Sequence, residues 1–407
     1  MINKNKMFEL LRKLAFVRYS GTKEEYDAMN ILKDEVSPYC DDVEIDEFEV
    51  EYNEIKEATL EIVEPINKSF VVKGILGCGN HDITKEFKYV QNIDDADLLD
   101  AKDKIVLINA TYLRKKTYEK LAKANISGII AIDTSLYNRN EELKLIELRK
   151  ECKDIKILPC VLMKTSDAET LVKINPKLVH VKINQYEGKA LSHNLIATIK
   201  GQIDETICYS AHYDSVYTSQ GVYDNASGCV GLVELIKHFS ENKPYRTLKF
   251  IFMGSEEIGL KGSLHYCEKY PLNDHVLNIN LDMIGVTLGY DIACISASNN
   301  FVSYTDYFAK INGFPINVYA GVYSSDSTPF ADKGVPSMSF ARLSNGLGKQ
   351  IHSTKDDLRF MSKDKMKDTL NFIILFSETL INAKVFPIKK EIDNTIKEQL
   401  DIYFKRK

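Results

Sequence analysis

The chain has 407 residues, of which 44% are hydrophobic and 27% are charged, and its formal net charge is −5. Because one compact core seldom grows to this length, we expect two domains, or one large domain with an insertion. The acidic balance and the scattered lysines and arginines argue against a nucleic-acid partner, which would require a basic surface.

The N-terminal segment has the pattern of an amphipathic helix and not of an export signal. Charged residues interrupt its apolar run, while Leu10, Leu11, Leu14 and Val17 recur at helical spacing. No other segment has the roughly 20 apolar residues that a membrane span needs. We therefore expect a cytoplasmic protein with no membrane partner, whose eight cysteines, none in a C-x-x-C pair, stay reduced.

A second helix and a separate unit are predicted next. Thr22 followed by Glu25 is a capping-box pattern that starts the helix, and Pro38 ends it. Two strand-like segments follow, and residues 56–185 have the pattern of a separate strand-rich unit. Inside this unit we predict one helix, at about 116–127, and strands at 104–110, 128–133, 157–163 and 178–183. It has no close cluster of histidine, cysteine or acidic residues, so we expect a structural or substrate-gating role.

From about residue 190 strands alternate with helices. This alternation predicts an α/β fold with a mostly parallel central sheet flanked by helices. The predicted strands are 206–212, 247–253, 276–283, 291–297 and 335–341, and the predicted helices are 225–241, 261–269, 300–311, 326–333 and 363–383. Ligands of such sheets bind beyond the carboxyl ends of the strands, so we expect the chemistry of the protein at that edge.

Histidine and carboxylate side chains gather at these predicted strand ends and in two loops: His212, Asp214, Asp224, Glu256, Glu257, Asp282 and His352. So many converging acids would repel one another unless a cation lay among them. The mixture of imidazole and carboxylate suits zinc, with cobalt or manganese as alternatives, and does not suit calcium. Each residue alone has ordinary structural explanations, but together they predict a metal site.

These segments resemble the co-catalytic zinc aminopeptidases of the M28 peptidase family. The resemblance rests on five motifs in the same order between about residues 190 and 360: HxDS, DNASG, SEExGLxGS, NxDMxG and IHSTxDD. The opening segment RYSGTKEEYDAMNIL is similar to the first helices of the family, and KIVLINATYLRKKTYEKLAKANISGIIAID is similar to a protease-associated (PA) domain. The resemblance implies a zinc exopeptidase (phosphorylase/hydrolase-like) catalytic domain at 1–55 and 186–407, with a PA-like insertion at 56–185.

The resemblance also implies a ligand set for two zinc ions per chain. Asp224 would bridge the two ions. His212 and Asp282 would hold one of them, and Glu257 and His352 would hold the other. A carboxylate can bridge because it has two oxygens, whereas a neutral imidazole has one free lone pair.

Three further residues have implied or candidate roles. The resemblance implies that Glu256 is the general base for a metal-bridging water, and that Asp214 orients His212. Tyr323 is a candidate donor to the substrate carbonyl, with plain packing as an equal alternative. The family often has a histidine where this chain has Ser327, but that position is not a metal ligand, so the implied ligand set is complete.

We therefore expect a dinuclear zinc-dependent aminopeptidase that removes N-terminal residues from peptides with a free N-terminus. One alternative is a metallo-carboxypeptidase or another amide hydrolase of the same fold, which would bind a substrate carboxylate through arginine. Arg342 is the only arginine near the predicted site, which argues mildly against it. Another alternative is a PA-bearing receptor or scaffold without catalysis, which the intact ligand positions disfavour.

The C-terminal segment predicts a helix that begins at Pro387, with one apolar side formed by Ile388, Ile392, Ile396, Leu400 and Tyr403. This side would pack on the catalytic domain or on another subunit. Homo-oligomerisation is therefore left open.

Overall fold

The structure is a computed structural model that describes residues 2–133, 143–346 and 351–406. The chain divides into two compact units. The first unit comprises Met1–Val50 and Ala190–Lys407, and the second comprises Glu51–Lys189. The α/β fold with a helix-flanked central sheet, as predicted, is confirmed.

The helices are α1 (Lys4–Lys13), α2 (Lys23–Val36), α3 (Lys115–Lys123), α4 (Lys150–Lys153), α5 (Thr165–Ile174), α6 (Ser227–Phe239), α7 (Lys261–Lys269), α8 (Asn299–Ile311), α9 (Ser327–Asp332), α10 (Lys363–Ile381) and α11 (Asn394–Tyr403). The strands are β1 (Asp42–Glu64), β2 (Lys68–Phe70), β3 (Val72–Gly74), β4 (His81–Val90), β5 (Ile105–Ile108), β6 (Gly128–Asp133), β7 (Cys160–Lys164), β8 (Leu178–Ile199), β9 (Ile203–His212), β10 (Arg246–Met253), β11 (His275–Leu281), β12 (Tyr290–Ser296), β13 (Ile316–Ala320) and β14 (Ser337–Leu343). Over the described ranges, none of the helices has both the length and the hydropathy required to cross a bilayer.

The first two helices form as their sequences predict, with small differences at their ends. Helix α1 stops at Lys13, so Val17 lies beyond it. The side chain of Thr22 accepts the N–H of Glu25 and caps α2. The carboxylate of Glu25 accepts the N–H of Gly21 at 2.7 Å, one residue before the position that a capping box uses. Thr22 thus satisfies one of the N–H groups that the helix leaves free, and Glu25 satisfies one in the segment just before the helix.

The central sheet of the first unit has the strand order β13-β12-β14-β11-β9-β10-β8. Strands β14, β11, β9 and β10 run parallel to one another, whereas β12 is antiparallel to β14 and β8 is antiparallel to β10. Alternate side chains of β10 point to opposite faces. Phe250 and Phe252 join the core under α1, α2, α6 and α10, and Ile251 and Met253 pack with Tyr266 of α7. Helices therefore cover both faces of the sheet.

Two predictions in the first unit need correction. Strand β13 was not predicted, because this edge strand is only half-buried and lacks a continuous apolar run. The last helix begins at Asn394 and not at Pro387. Ile388 and Ile392 are buried from a non-helical segment, so their four-residue spacing imitated a helix. With Ile396 and Leu400 they join the main core of the first unit.

The described residues of the second unit form a sheet and three helices. Strands β4, β5, β6 and β7 are consecutive parallel neighbours, with β3 antiparallel to β7 and β8 antiparallel to β4. The two strand-like segments predicted after residue 41 are one long strand, β1, and helix α5 was not predicted. Buried side chains of the parallel strands form a core of this unit. The insertion predicted at 56–185 lies within it.

Candidate metal centre

The carboxyl ends of three adjacent strands bring the predicted site residues together. His212 is the last residue of β9, Asp282 follows β11, and Glu256 and Glu257 lie in the loop after β10. Because β9 lies between β11 and β10 in a parallel arrangement, these ends meet at one edge of the sheet. Asp224 joins them from the irregular turn 222–226, directly before α6.

Asp224 lies between the two histidines. Its Oδ1 is 3.2 Å from His212 Nε2, and its Oδ2 is 3.2 Å from His352 Nε2. Asp282 Oδ1 lies 3.8 Å from the same nitrogen of His212, and Glu257 Oε2 lies 3.1 Å from the same nitrogen of His352. Each oxygen of Asp224 therefore faces a separate imidazole, as a bridging carboxylate requires.

The donor atoms form two groups that fit metal ions. His212, Asp224 and Asp282 form one group and Asp224, Glu257 and His352 form the other, with the ligand atoms of each within 4.8 Å of one another. The buried atoms Glu257 Oε1 and Asp282 Oδ1 have no hydrogen-bond partner. Buried carboxylate oxygens without partners are costly unless a cation neutralises them. The structure thus brings the five implied ligands together in the implied sets, and their role as ligands stays a prediction.

Asp214 holds more of the site than its predicted role requires. Its Oδ1 lies 3.4 Å from His212 Nδ1 without forming a hydrogen bond to it, so the orienting role of Asp214 stays a prediction. The same carboxylate accepts the N–H of Glu256 at 3.0 Å and the N–H of Glu257 at 3.1 Å. Ser20 Oγ donates a further bond at 3.0 Å. One fully buried carboxylate therefore contacts both an imidazole and the backbone of the two adjacent acids.

Glu256 lies beside both groups but belongs to neither. Burial raises the pKa of its carboxyl group well above the usual value, although the positive charge of His212 opposes this shift. The negative charges of Asp326 and Glu257 raise it further. A carboxylate with a raised pKa can accept a proton more readily near neutral pH.

Two residues that received no role from the sequence fix the turn that carries Asp224. Asp356 accepts the N–H of Tyr223 at 2.7 Å and the N–H of Asp224 at 3.0 Å. Asn225, which follows a cis peptide bond, accepts the N–H of Gly228 and of Met283 and donates to the carbonyl of Leu281. Both lie inside quoted motifs, DNASG and IHSTxDD, so the motifs were their only sequence signal.

Gly228 allows this turn to approach the end of β11. A Cβ atom at Gly228 would lie 2.3 Å from the carbonyl oxygen of Leu281 and 2.4 Å from Asn225 Oδ1. Four non-glycine residues around the site, Ser255, Leu260, Met283 and His352, have φ between 56° and 66°. Such conformations are unfavourable for these residue types and commonly occur at functional sites.

A cavity of about 290 Å³ opens over the two groups. Its lining residues are His212, Asp224, Glu256, Glu257, Gly259, Leu260, Asp282, Met283, Tyr323, Ser324, Ile351, His352 and Tyr403. Tyr323, the candidate hydroxyl donor, thus lies in the wall, where burial and then the charge of Asp282 raise its pKa. Among the described lining residues, none is lysine or arginine. Arg342 instead donates to the carbonyl of Val286 and pairs with Asp291 at 2.5 Å.

Comparison of the sequence with protein families and curated proteins finds relatives. A family model described as peptidase family M28 matches residues 194–377. Aminopeptidase YwaD of Bacillus subtilis strain 168 is 28% identical over 319 residues, which cover 74% of this chain and 66% of that protein. A vacuolar membrane protease of Kluyveromyces lactis is 27% identical over 229 residues, which cover 52% of this chain and 24% of the yeast protein. The chain thus spans just under two thirds of the first relative and about a quarter of the second.

Solved structures share the fold over almost the whole chain. BSAP, a zinc aminopeptidase from Bacillus subtilis, has a TM-score of 0.77 at 22% identity, covering 97% of this chain and 99% of that one. An aminopeptidase from Aneurinibacillus sp. strain AM-1 has a TM-score of 0.70 at 23% identity, covering 96% of this chain and 97% of that one. At these identities the likeness shows the fold.

Proposed function

We propose that the chain, whose residues 194–377 match the model of peptidase family M28, is a zinc-dependent aminopeptidase of that family that binds two ions and removes N-terminal residues from peptides. The observation that carries the proposal is the position of Asp224 between His212 and His352, with one carboxylate oxygen toward each imidazole. The zinc aminopeptidase named among its structural relatives supports the choice of metal.

The proposed ligands are His212 and Asp282 for one ion, Glu257 and His352 for the other, and Asp224 for both. When bound, two such ions lower the pKa of water and polarise a carbonyl group. This mixture of imidazole and carboxylate ligands suits zinc, and cobalt or manganese could replace it.

Glu256 is the proposed general base. Its carboxylate takes a proton from the attacking water and delivers it to the leaving amine of the cleaved bond. The bonds from Glu256 N–H and Glu257 N–H to Asp214 hold the backbone of the two adjacent acids. The side chain of Glu257 can then act as a ligand, while the side chain of Glu256 stays off the metal and available as the base. The hydroxyl of Tyr323, in the cavity wall, is proposed to donate to the substrate carbonyl.

The lining of the cavity favours an amino terminus over a carboxyl terminus. It holds four carboxylates and two histidines, and among its described residues no lysine or arginine. Two bound zinc ions would offset the charge of the carboxylates, so the preference rests on the lack of a basic side chain that could pair with a substrate carboxylate. Arg342 pairs with Asp291 and is not one of the described lining residues, which removes the one arginine that the carboxypeptidase alternative offered.

The proposal is tested with paired substrates that differ only at the amine. Zinc-loaded protein is expected to hydrolyse aminoacyl p-nitroanilides and to spare the N-acetylated compounds. The Glu256→Gln variant serves as the negative control for contaminating peptidases. Cleavage of the acetylated compounds alone would overturn the aminopeptidase proposal in favour of another amide hydrolase.

We also propose that the second unit is a PA-like insertion with a structural role. The unit has its own core, and the groups that could hold a metal within the described ranges all lie in the first unit. A structural unit with its own core should unfold independently of the first unit, and calorimetry of the full chain tests this independence. Zinc is expected to raise the transition of the first unit and to leave a separate transition for the second unchanged; a single transition that shifts as a whole would contradict independent folding.

A further inference from the structure

The C-terminal helix contributes to the same cavity as the metal ligands. Tyr403, the last residue of α11, lines the cavity together with Glu256 and His212. Its hydroxyl lies 2.8 Å from Oγ of Ser324, another residue that lines the cavity. Burial raises the pKa of Tyr403. The bond to Ser324 opposes this shift, and the negative charge of Glu256 adds to it. A residue near the end of the chain thus lies beside the proposed base.

Helix α11 is attached to the first unit along its whole length, so this wall has a defined position. Before its first residue, Asp393 accepts the N–H of Asn299 at 2.9 Å. In its middle, Gln399 accepts the N–H of Val322 at 3.2 Å, while Ile396 and Leu400 are buried. Beyond its last residue, Arg406 pairs with Asp332 of α9.

The cavity is small, and its lining combines polar and apolar side chains. The ligand groups and Glu256 are polar, and the remaining large lining side chains are Leu260, Met283, Tyr323, Ile351 and Tyr403. A volume of about 290 Å³ lies just below the range of roughly 300–1,000 Å³ typical of drug-sized ligands. It has room for one residue of a peptide, and the remainder of the substrate must extend into solvent.

We infer that Tyr403 forms the wall that limits the size of the N-terminal side chain that the enzyme accepts. This inference rests on the proposed aminopeptidase function. Because the scissile carbonyl must lie at the ligand groups, the side chain of the N-terminal residue that carries this carbonyl must lie against the remaining side chains of the cavity wall. The ring of Tyr403 occupies space there, and the contacts that attach α11 to the first unit hold the ring in place.

The test compares four full-length, zinc-loaded proteins: wild type, Tyr403→Ala, Tyr403→Phe and Ile402→Ala. Ile402 is the matched control, since it precedes Tyr403 on the same helix and is 65% exposed. Each protein is assayed with alanine, leucine and phenylalanine p-nitroanilides. The quantity compared is the kcat/KM for the phenylalanine substrate divided by the kcat/KM for the alanine substrate. Zinc content and melting temperature show whether each variant is folded, and Tyr403→Leu replaces the alanine variant if that one is not.

In Tyr403→Ala we expect this ratio to rise about tenfold, the scale of one or two methylene groups in an apolar pocket. In Tyr403→Phe and Ile402→Ala it should stay within about twofold of wild type, because the wall is unchanged. An equal loss on all three substrates, or an unchanged ratio in active Tyr403→Ala protein, would overturn the inference and leave the aminopeptidase proposal intact. Wild-type protein that cleaves none of the substrates would overturn both.

Discussion

Asp356 accepts the backbone N–H of Asp224 at 3.0 Å, and through Tyr223 N–H it also holds the residue before it. This carboxylate touches no imidazole of the site, yet it fixes the turn that carries the proposed bridging ligand. We therefore predict that Asp356→Asn weakens zinc binding about 10- to 100-fold, because an amide NH₂ cannot accept the second N–H. Metal content after dialysis against a graded chelator measures this loss.

The next residue provides the control for that variant. Asp357 bonds to the exposed side chain of Arg359 and has no contact with the turn. Asp357→Asn should keep wild-type zinc affinity. Equal zinc affinity in both variants would show that Asp356 is not a positioning residue.

Glu256 and Glu257 are adjacent, but they should respond differently to the same substitution. Glu256→Gln is expected to lower kcat by about 10³-fold with two zinc ions retained, since it removes a proton acceptor and no ligand. Glu257→Gln is expected to lower the zinc content toward one ion per chain, because the neutral amide is a weaker ligand. Metal analysis and single-turnover assays of both variants decide the assignment, and loss of zinc from the first variant would reverse it.

The metal-free protein should lose stability as the pH rises from about 5 to about 8. Burial raises the pKa of Glu257 and of Asp326 to about 7 each. Burial opposes the shift of His352, but its bonds to Asp224 and Glu257 still raise its pKa to about 11. The two carboxyl groups hold more protons when folded up to about pH 7, and His352 does so above about pH 6.5. Together these groups make stability greatest at the acidic end of the interval.

Calorimetry of chelator-treated protein measures this effect, which we expect to lower the melting temperature by about 5 °C or more. Zinc should reverse the sign of the pH dependence, because zinc and protons compete for the same ligands. A melting temperature of the metal-free protein that rises over the interval would contradict the raised pKa values.

Arg18 should be the most sensitive cation outside the metal centre. It is fully buried, and its guanidinium donates to the five carbonyl oxygens of Leu14, Phe16, Tyr213, Gln220 and Gly221. Lysine has three donors on a single nitrogen, so Arg18→Lys loses at least two of these five hydrogen bonds, at about 1.5–3 kcal/mol for each bond from a charged donor. We expect the melting temperature to fall by about 5–10 °C. The exposed Arg12→Lys should change it by less than about 2 °C.

Regular and buried elements could be predicted from the sequence, and contacts between side chain and backbone could not. Strand β9 is buried from Thr206 to His212, and its end, together with the ends of β10 and β11, predicted where the metal centre lies. Strand β13 was missed because this short edge strand is largely exposed, and the start of α11 was misplaced because the spacing of Ile388 and Ile392 imitated a helix. Periodicity placed Tyr403 on a helix but has no information on what that helix faces.

The resemblance supplied the identities of the candidate ligands, but not the residues that hold them. Asp356, Asn225 and Arg18 act through backbone N–H and C=O groups that are distant in the chain. Such bonds depend on the tertiary fold, and no local sequence pattern encodes their partners. They are therefore visible only when the turn, the strand ends and the first helices are in place.

The bonds of Asp214 to the backbone of Glu256 and Glu257 are formed entirely within the polypeptide. They define the separation between the proposed base and the proposed ligand whichever ion is bound. Exchange of zinc for cobalt or manganese should therefore leave the two acids in the same relative position. Differences in rate among the metal forms would then report the Lewis acidity of each ion and not a rearranged active site.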